Sequence, residues 1–559
     1  MKRIKTIKFS ILLFSYSIYM FFIGYLFLRL SNTVLLEVEL FNLSSLPFTF
    51  SLIFDKIRVR FRIVVTLIAG RVFFFSSKYI EEDPFSNRFI WILLSFVISI
   101  NLLIFSGSVF FLLLGWDGLG ITSFALIIYY ESNESQIAGF QTLIINRIGD
   151  VLIVLSIFLF CCEGQYTLFS FRDKTFYLSS LILLLRIAAL TKRAQFPFRS
   201  WLPAAIAAPT PVRALVHSST LVTAGIYIVI RLRHSTPLDS RVCRILLLCG
   251  SVTCLLGGWA ATYENDIKKV IALSTLSQLG VMVFSLGIGF PSLGLFHLYT
   301  HALFKALLFL AAGHILIVTF GNQDVRIIGG LGLSLPFTSL IFTVRSLCLI
   351  GAPFIRAFYS KHLILELMII SSINFISVFI ILIATLMTAK YVFRTLKGVV
   401  WGKRGIRLVS GCSDVHTFFP VFILRVGAIT GGEFISRVEI NNLERVFIPF
   451  RWSTLINLVT ITGVIIGLLL SQVRLRRFSL STLFFLTPLV YGSPKIFYHM
   501  LKRLRVLDYG WLEPYYLIKN KFYWVGTEFS NVGQWPNSRL ITSFVLVLFL
   551  TRIVTIFTY

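Results

Sequence analysis

The chain has 559 residues, a formal net charge of +28, and only 14% charged residues against 57% hydrophobic ones, with a mean hydropathy of +0.85. A soluble domain carries about 25% charged residues, so a soluble fold is excluded. Apolar runs long enough to cross a bilayer, which takes about 20 residues, recur from end to end. They are also too long and too evenly apolar for the alternating strands of a membrane β-barrel.

In chain order, "MKRIKTIK" precedes an apolar run over 9–30. The run is longer than a signal-peptide core and no small-residue cleavage site follows it, so it is read as the first span. Residues 1–107 hold about three spans. Residues 108–395 pair dense apolar runs with buried polar residues and form the expected working core. Loops and further spans follow over 396–494, including runs at 454–471 and 480–494. Residues 495–538 are mixed aromatic and charged and are expected to lie along the membrane or the protein flank, before a last apolar run at 540–557. The whole reads as an all-α polytopic membrane protein with roughly 15 spans. The seven cysteines form no CxxC pair and mostly sit in apolar runs, as buried thiols do. The scattered cations fit basic loops and anionic lipid rather than nucleic acid.

The chemistry lies in ionisable residues inside these runs, which are functional candidates by default. Asp117 stands in "FLLLGWDGLGITSFALIIYY". Arg147 and Asp150, three apart in "INRIGDVLIVL", share a helix face and suit an ion pair. Lys192 ends an apolar run; Pro197, Pro203, Pro209 and Pro211 then forbid a continuous helix, and His217 opens the next span. Irregular backbone at membrane depth is tolerated where protein or a water-filled cavity surrounds it, and discontinuous helices of this kind mark ion sites. An ordinary loop with a snorkelling lysine is the alternative. Lys268 and Lys269 follow Glu264 and Asp266 at a span boundary; one is expected to point inward, and Lys269 is assigned that role. In "FHLYTHALFKALLFLAAGH", His297, His301 and Lys305 recur every four residues and stack on one helix face, a ladder for a proton. A zinc site from the two histidines lacks an evident third ligand, and Lys305 repels cations. Lys361 follows a second proline-interrupted run, "LIGAPFIRAFYSKHLILEL", so two broken segments each carry a lysine, a hint of an internal repeat.

The motifs "GWDGLG", "NRIGD", "WLPAAIAAPTPVRALVHSSTLVTAGIY", "DIKKVIALSTLSQLG", "HALFKALLFLAAGH" and "FYSKHLILE" occur in this order. Together they resemble the subunit 5 family of NADH dehydrogenase, the antiporter-like proton-pumping subunits of respiratory complex I, in an animal, invertebrate-like version. "LDYGWLE" at 507–513 resembles that family's C-terminal region. The resemblance implies two inverted five-helix repeats, each with one broken helix, and an amphipathic lateral helix over about 495–538. It implies a proton relay through Asp117, Lys192, His217, Lys269, His297, His301, Lys305 and Lys361, with Arg147 and Asp150 in support, and a pairing of Asp117 with Lys192. It places the chain in the mitochondrial inner membrane beside other membrane-arm subunits, above all a neighbouring antiporter-like subunit, with lipids such as cardiolipin. NADH, FMN, the iron–sulfur clusters and ubiquinone would belong to other subunits, with no cofactor in this chain. A stand-alone Mrp-type cation/proton antiporter subunit is the alternative, and a non-pumping scaffold a third.

Several arginines depart from that pattern. Arg71, Arg193, Arg199, Arg213, Arg345 and Arg356 stand where the family has small residues, often serine. "RVRFR" at 58–62 is equally improbable in a span. An arginine at a span centre costs about 2.5–3.5 kcal/mol on an insertion scale. The chain also has only six methionines. Invertebrate mitochondria read AGA/AGG as serine and AUA as methionine, so a standard reading of those codons accounts for both facts.

Overall fold

In a computed structural model, residues 2–30, 33–43, 46–162, 178–235, 240–352, 356–371, 374–402, 450–469, 492, 498–506, 523–525 and 547 are described. Two compact units are distinguished, Met1–Phe484 and Phe485–Tyr559. In the second, the described helix is Tyr498–Val506, within the segment expected to form the lateral helix. Apart from residues 523–525, the remainder of that expectation lies outside the described residues, as do nearly all of the apolar runs at 480–494 and 540–557.

In the first unit, α1 (Lys2–Leu30) is followed by a two-stranded antiparallel hairpin, β1 (Val34–Leu43) and β2 (Leu46–Phe54). This hairpin is a small addition to the expected all-α architecture. The stretch is dense in Leu, Phe and Val, and Glu37 and Glu39 alternate with apolar residues on β1, a strand pattern. Next come α2 (Lys56–Tyr79), α3 (Ser86–Phe105), α4 (Val109–Ile127) and α5 (Asn133–Cys162). The Ser108 hydroxyl caps α4 by accepting from Phe111 N at 3.4 Å. Ten helices among the described residues are long and apolar enough to span a membrane, with Pro336–Ile350 a shorter apolar one.

Two places depart from full-length helices. α6, described over Leu178–Lys192, stops at Lys192. One-turn pieces follow over Trp201–Ala207, and a π-helical turn at Arg213–Thr220 leads into α7 (Leu221–Ser235). After α8 (Ser240–Ala261), α9 (Ile267–Ile288) and α10 (Pro291–Val318) comes the second break. There α11 (Pro336–Ile350) ends at Gly351, whose φ of 87° is a left-handed conformation that favours glycine, and α12 starts at Arg356 and runs to Ile370. α11, described at both ends, reaches only about 22 Å, short of a hydrocarbon core of about 30 Å, so one of its ends falls inside the protein; α6 ends at Lys192, which is buried. α13 (Phe375–Leu396) and α14 (Phe450–Leu469) complete the described helices of this unit.

The core sits on α9 and α10, whose apolar windows are each 94% buried, against 17% for α14. Helices in a bilayer gain little from hydrophobic burial against one another and associate through small residues and close packing. α8 and α9 show this. A Cβ added to Gly250 would stand 2.7 Å from Phe284 N, and one added to Gly280 2.6 Å from Cys254 N, so the two backbones meet directly. Cys254, Val281, Phe296, Ile364 and Ala384 close one apolar cluster across α8, α9, α10, α12 and α13. Against this frame the lysine-bearing breaks are held.

Candidate proton-relay site

At the first break, Lys192 is fully buried. Its Nζ donates to Trp116 O at 2.5 Å and lies 3.8 Å from the centroid of the Trp116 ring, a cation–π contact. The Trp116 indole N–H in turn donates to Asp150 Oδ1 at 2.9 Å, while Arg147 Nη1 is 3.2 Å from Asp150 Oδ2. Trp116, buried one residue before Asp117, thus joins the ammonium to a carboxylate on α5. The expected pairing of Asp117 with Lys192 does not form: among the described residues Asp117 makes no ion pair, and its buried Oδ1 has no partner. The His217 side chain lies outside the described residues; its backbone lies in the π-helical turn.

In the centre, the three residues spaced by four on α10 are all fully buried. Lys305 Nζ donates to Ser274 Oγ and, at 3.3 Å, to Ile271 O. His301 has neither ring nitrogen paired among the described residues and stacks edge-on against Phe304. His297 places Nδ1 2.9 Å from Ser360 Oγ and Nε2 3.3 Å from Gln278 Oε1. Thr300 Oγ1 also reaches Ser360 Oγ, at 3.3 Å. Ser360 precedes Lys361, so α12 takes the hydroxyl contact from the ladder and presents the next lysine.

At the second break, Lys361 Nζ donates to Leu349 O and Ile350 O, both at 3.1 Å, and to Thr388 Oγ1 at 3.2 Å. The first two are the last carbonyls of α11, the negative end of a half-helix. Lys361 is 2% exposed.

Lys269 does not join these groups. It is exposed and ion-paired with Asp266 at 2.8 Å, and its assignment to the buried relay is corrected. Lys268, one position earlier, is the half-buried member of the pair. Sequence reasoning also missed Trp116, Ser274, Gln278, Ser360 and Thr388. Each is an ordinary residue in a long apolar helix, and only its position against a lysine or histidine on another helix marks it. Among the described residues no group of three His, Cys, Asp or Glu could hold a metal ion.

The arginines singled out from the sequence are buried as well: Arg71 6%, Arg193 0%, Arg199 2%, Arg213 4% and Arg345 0% exposed. Arg71 stacks 4.1 Å from the Phe14 ring. The Arg356 side chain lies outside the described residues.

Buried lysines at helix breaks, joined through a central histidine–lysine ladder inside a bundle of membrane-crossing helices, define an antiporter-type membrane core. Comparison agrees. Residues 106–388 match the family described as NADH:quinone oxidoreductase/Mrp antiporter, TM. Residues 40–90 match the N-terminus of NADH-ubiquinone oxidoreductase (complex I) chain 5, and 391–559 the C-terminus of NADH dehydrogenase subunit 5. NADH-ubiquinone oxidoreductase chain 5 of Aedes aegypti is 41% identical over 84% of this chain and 81% of its own. That of Anopheles gambiae is 39% identical over 89% and 86%. The chain therefore belongs to the NADH-ubiquinone oxidoreductase chain 5 family. The fold is shared with a chain in the structure of the Mrp complex from Dietzia sp. DQ12-45-1b, at a TM-score of 0.72 and 21% identity; this chain spans 61% of that one.

Proposed function

We propose that this chain is the proton-translocating membrane-arm subunit of complex I in the mitochondrial inner membrane, driven by quinone reduction in other subunits. The observation that carries the reading is the set Lys192, His297, His301, Lys305 and Lys361. All five are buried among apolar helices; Lys192, His297, Lys305 and Lys361 are held by an indole, hydroxyls, an amide and half-helix carbonyls rather than locked in direct ion pairs, and His301 stands between them with both ring nitrogens unpaired among the described residues. Groups held in this way can exchange a proton without first breaking a salt bridge. Asp117, Asp150 and Arg147 set the field around Lys192, and His217 stands in the backbone between the first break and the centre. Lys192 and Lys361 serve as the proton sites at the two breaks, and His297, His301 and Lys305 connect them through Ser274, Gln278 and Ser360.

NADH, FMN, iron–sulfur clusters and ubiquinone are assigned to the partners, among them a neighbouring antiporter-like subunit, with cardiolipin at the lipid-facing surface. A stand-alone Mrp-type antiporter would share the fold, but the curated relatives and the chain 5 C-terminal match support the complex I reading. Co-purification with NADH:quinone reductase activity separates the two. The relay itself is tested by Lys305→Ala in the assembled complex. Protons moved per electron should fall while the NADH-oxidising arm stays loaded; an unchanged ratio would leave the chain a scaffold.

A further inference from the structure

We infer that positions 193 and 213 carry serine in the working protein, the arginines being AGA/AGG codons that invertebrate mitochondria read as serine. Arg193 is fully buried, directly after Lys192 at the first break. One guanidinium nitrogen donates to Gly225 O on α7; Nε and Nη1 have no partner, and among the described residues it makes no ion pair. It packs directly against the backbone of α7 at Gly225, where an added Cβ would stand 2.9 Å from Arg193 Cγ. Arg213 repeats the pattern at the head of the π-helical turn. It is 4% exposed, has one contact to Ala208 O, and leaves Nε and Nη1 without partners.

A guanidinium has five donors and is effectively always charged. Buried without an acid and with most of its donors idle, it is a group a membrane interior does not hold. Other arginines here meet the requirement. Arg231 pairs with Asp55. Arg394 donates to Ala261 O and Glu264 O just beyond the end of α8. A serine at 193 or 213 would need nothing from outside its own turn. Hydroxyls on these buried helices donate to the carbonyl three residues back, as Thr191 does to Ala188 O (2.8 Å) and Ser285 to Met282 O (2.7 Å). The scarcity of methionine, six in 559 residues, is what AUA read as isoleucine produces in the same translation. Serine at 193 also removes a fixed cation from beside Lys192 and puts a hydroxyl in its place. The inference rests on burial and packing and does not require that the chain move protons.

The test is peptide mass spectrometry of the chain in complex purified from mitochondria, digested separately with trypsin and chymotrypsin. Trypsin should cut after Lys192 and Arg231 but not at 193 or 213, and the spanning chymotryptic peptides should carry serine masses. Arginine, lysine or glycine masses at 193 or 213 would overturn the inference. So would serine at Arg231 or Arg394, since then partners would not distinguish the two kinds of position.

Discussion

The two helix breaks hold their lysines by different means. Lys192 ends its own half-helix and faces the indole of Trp116, with the Asp150 carboxylate behind it at one hydrogen bond's remove. Lys361 lies within the second half-helix of its pair and reaches back to the last carbonyls of the first, with the Thr388 hydroxyl as third partner. One ammonium is balanced by a full charge relayed through a ring, the other by the dipole of a helix end. Two halves with one outline can thus stabilise the same charge from unrelated groups. A balancing charge acts over several ångströms, and a helix end acts within its last turn. The Lys192 site should therefore depend on a residue it does not touch, and the Lys361 site only on residues it does.

Substitution can break that contrast. Asp150→Asn should have the largest effect. It removes the charge behind Trp116 and the charge-assisted pair with Arg147, a loss of about 1.5–3 kcal/mol, and protons moved per electron should fall. An unchanged ratio would mean that the indole and the Trp116 carbonyl suffice for Lys192. Thr388→Val sharpens the other side. Lys361 keeps both carbonyls, so the loss should be about 0.5–1.5 kcal/mol, read as a small drop in pumping rate at unchanged assembly. A collapse as deep as that of Asp150→Asn would show the hydroxyl, not the helix end, to be the main partner. Lys269→Ala should do least: an exposed ion pair is worth about 0–1 kcal/mol, and activity and thermal inactivation should match the parent. A pumping defect there would return Lys269 to the relay.

The individual groups of the proposed relay stand out in the chain because charge is so conspicuous in apolar sequence. Asp117, Lys192, the α10 ladder and Lys361 stand out against runs of Leu, Ile and Phe, and prolines mark the first break. Their partners were not visible. Ser274, Gln278 and Thr388 look like the other polar residues that dot these helices, and Trp116 like any buried aromatic. The hairpin over Val34–Phe54 was passed over because apolar strands and apolar helices share a composition. The wrong choice between Lys268 and Lys269 has the same root: adjacent residues differ by about 100° around a helix, and which direction is inward depends on the neighbouring helices.

By itself, the sequence determined that the chain crosses a membrane many times, that its helices break near two lysines, and which titratable residues lie within apolar runs. Those follow from the cost of charge and open backbone in lipid, which acts on each segment separately. Only the tertiary structure decided that Asp150 rather than Asp117 serves Lys192 through Trp116, that Ser360 joins the α10 ladder to the helix of Lys361, and that Arg193 and Arg213 are buried without an acid. These are contacts between residues up to some tens of positions apart, set by which helix faces pack together, and no local pattern encodes them.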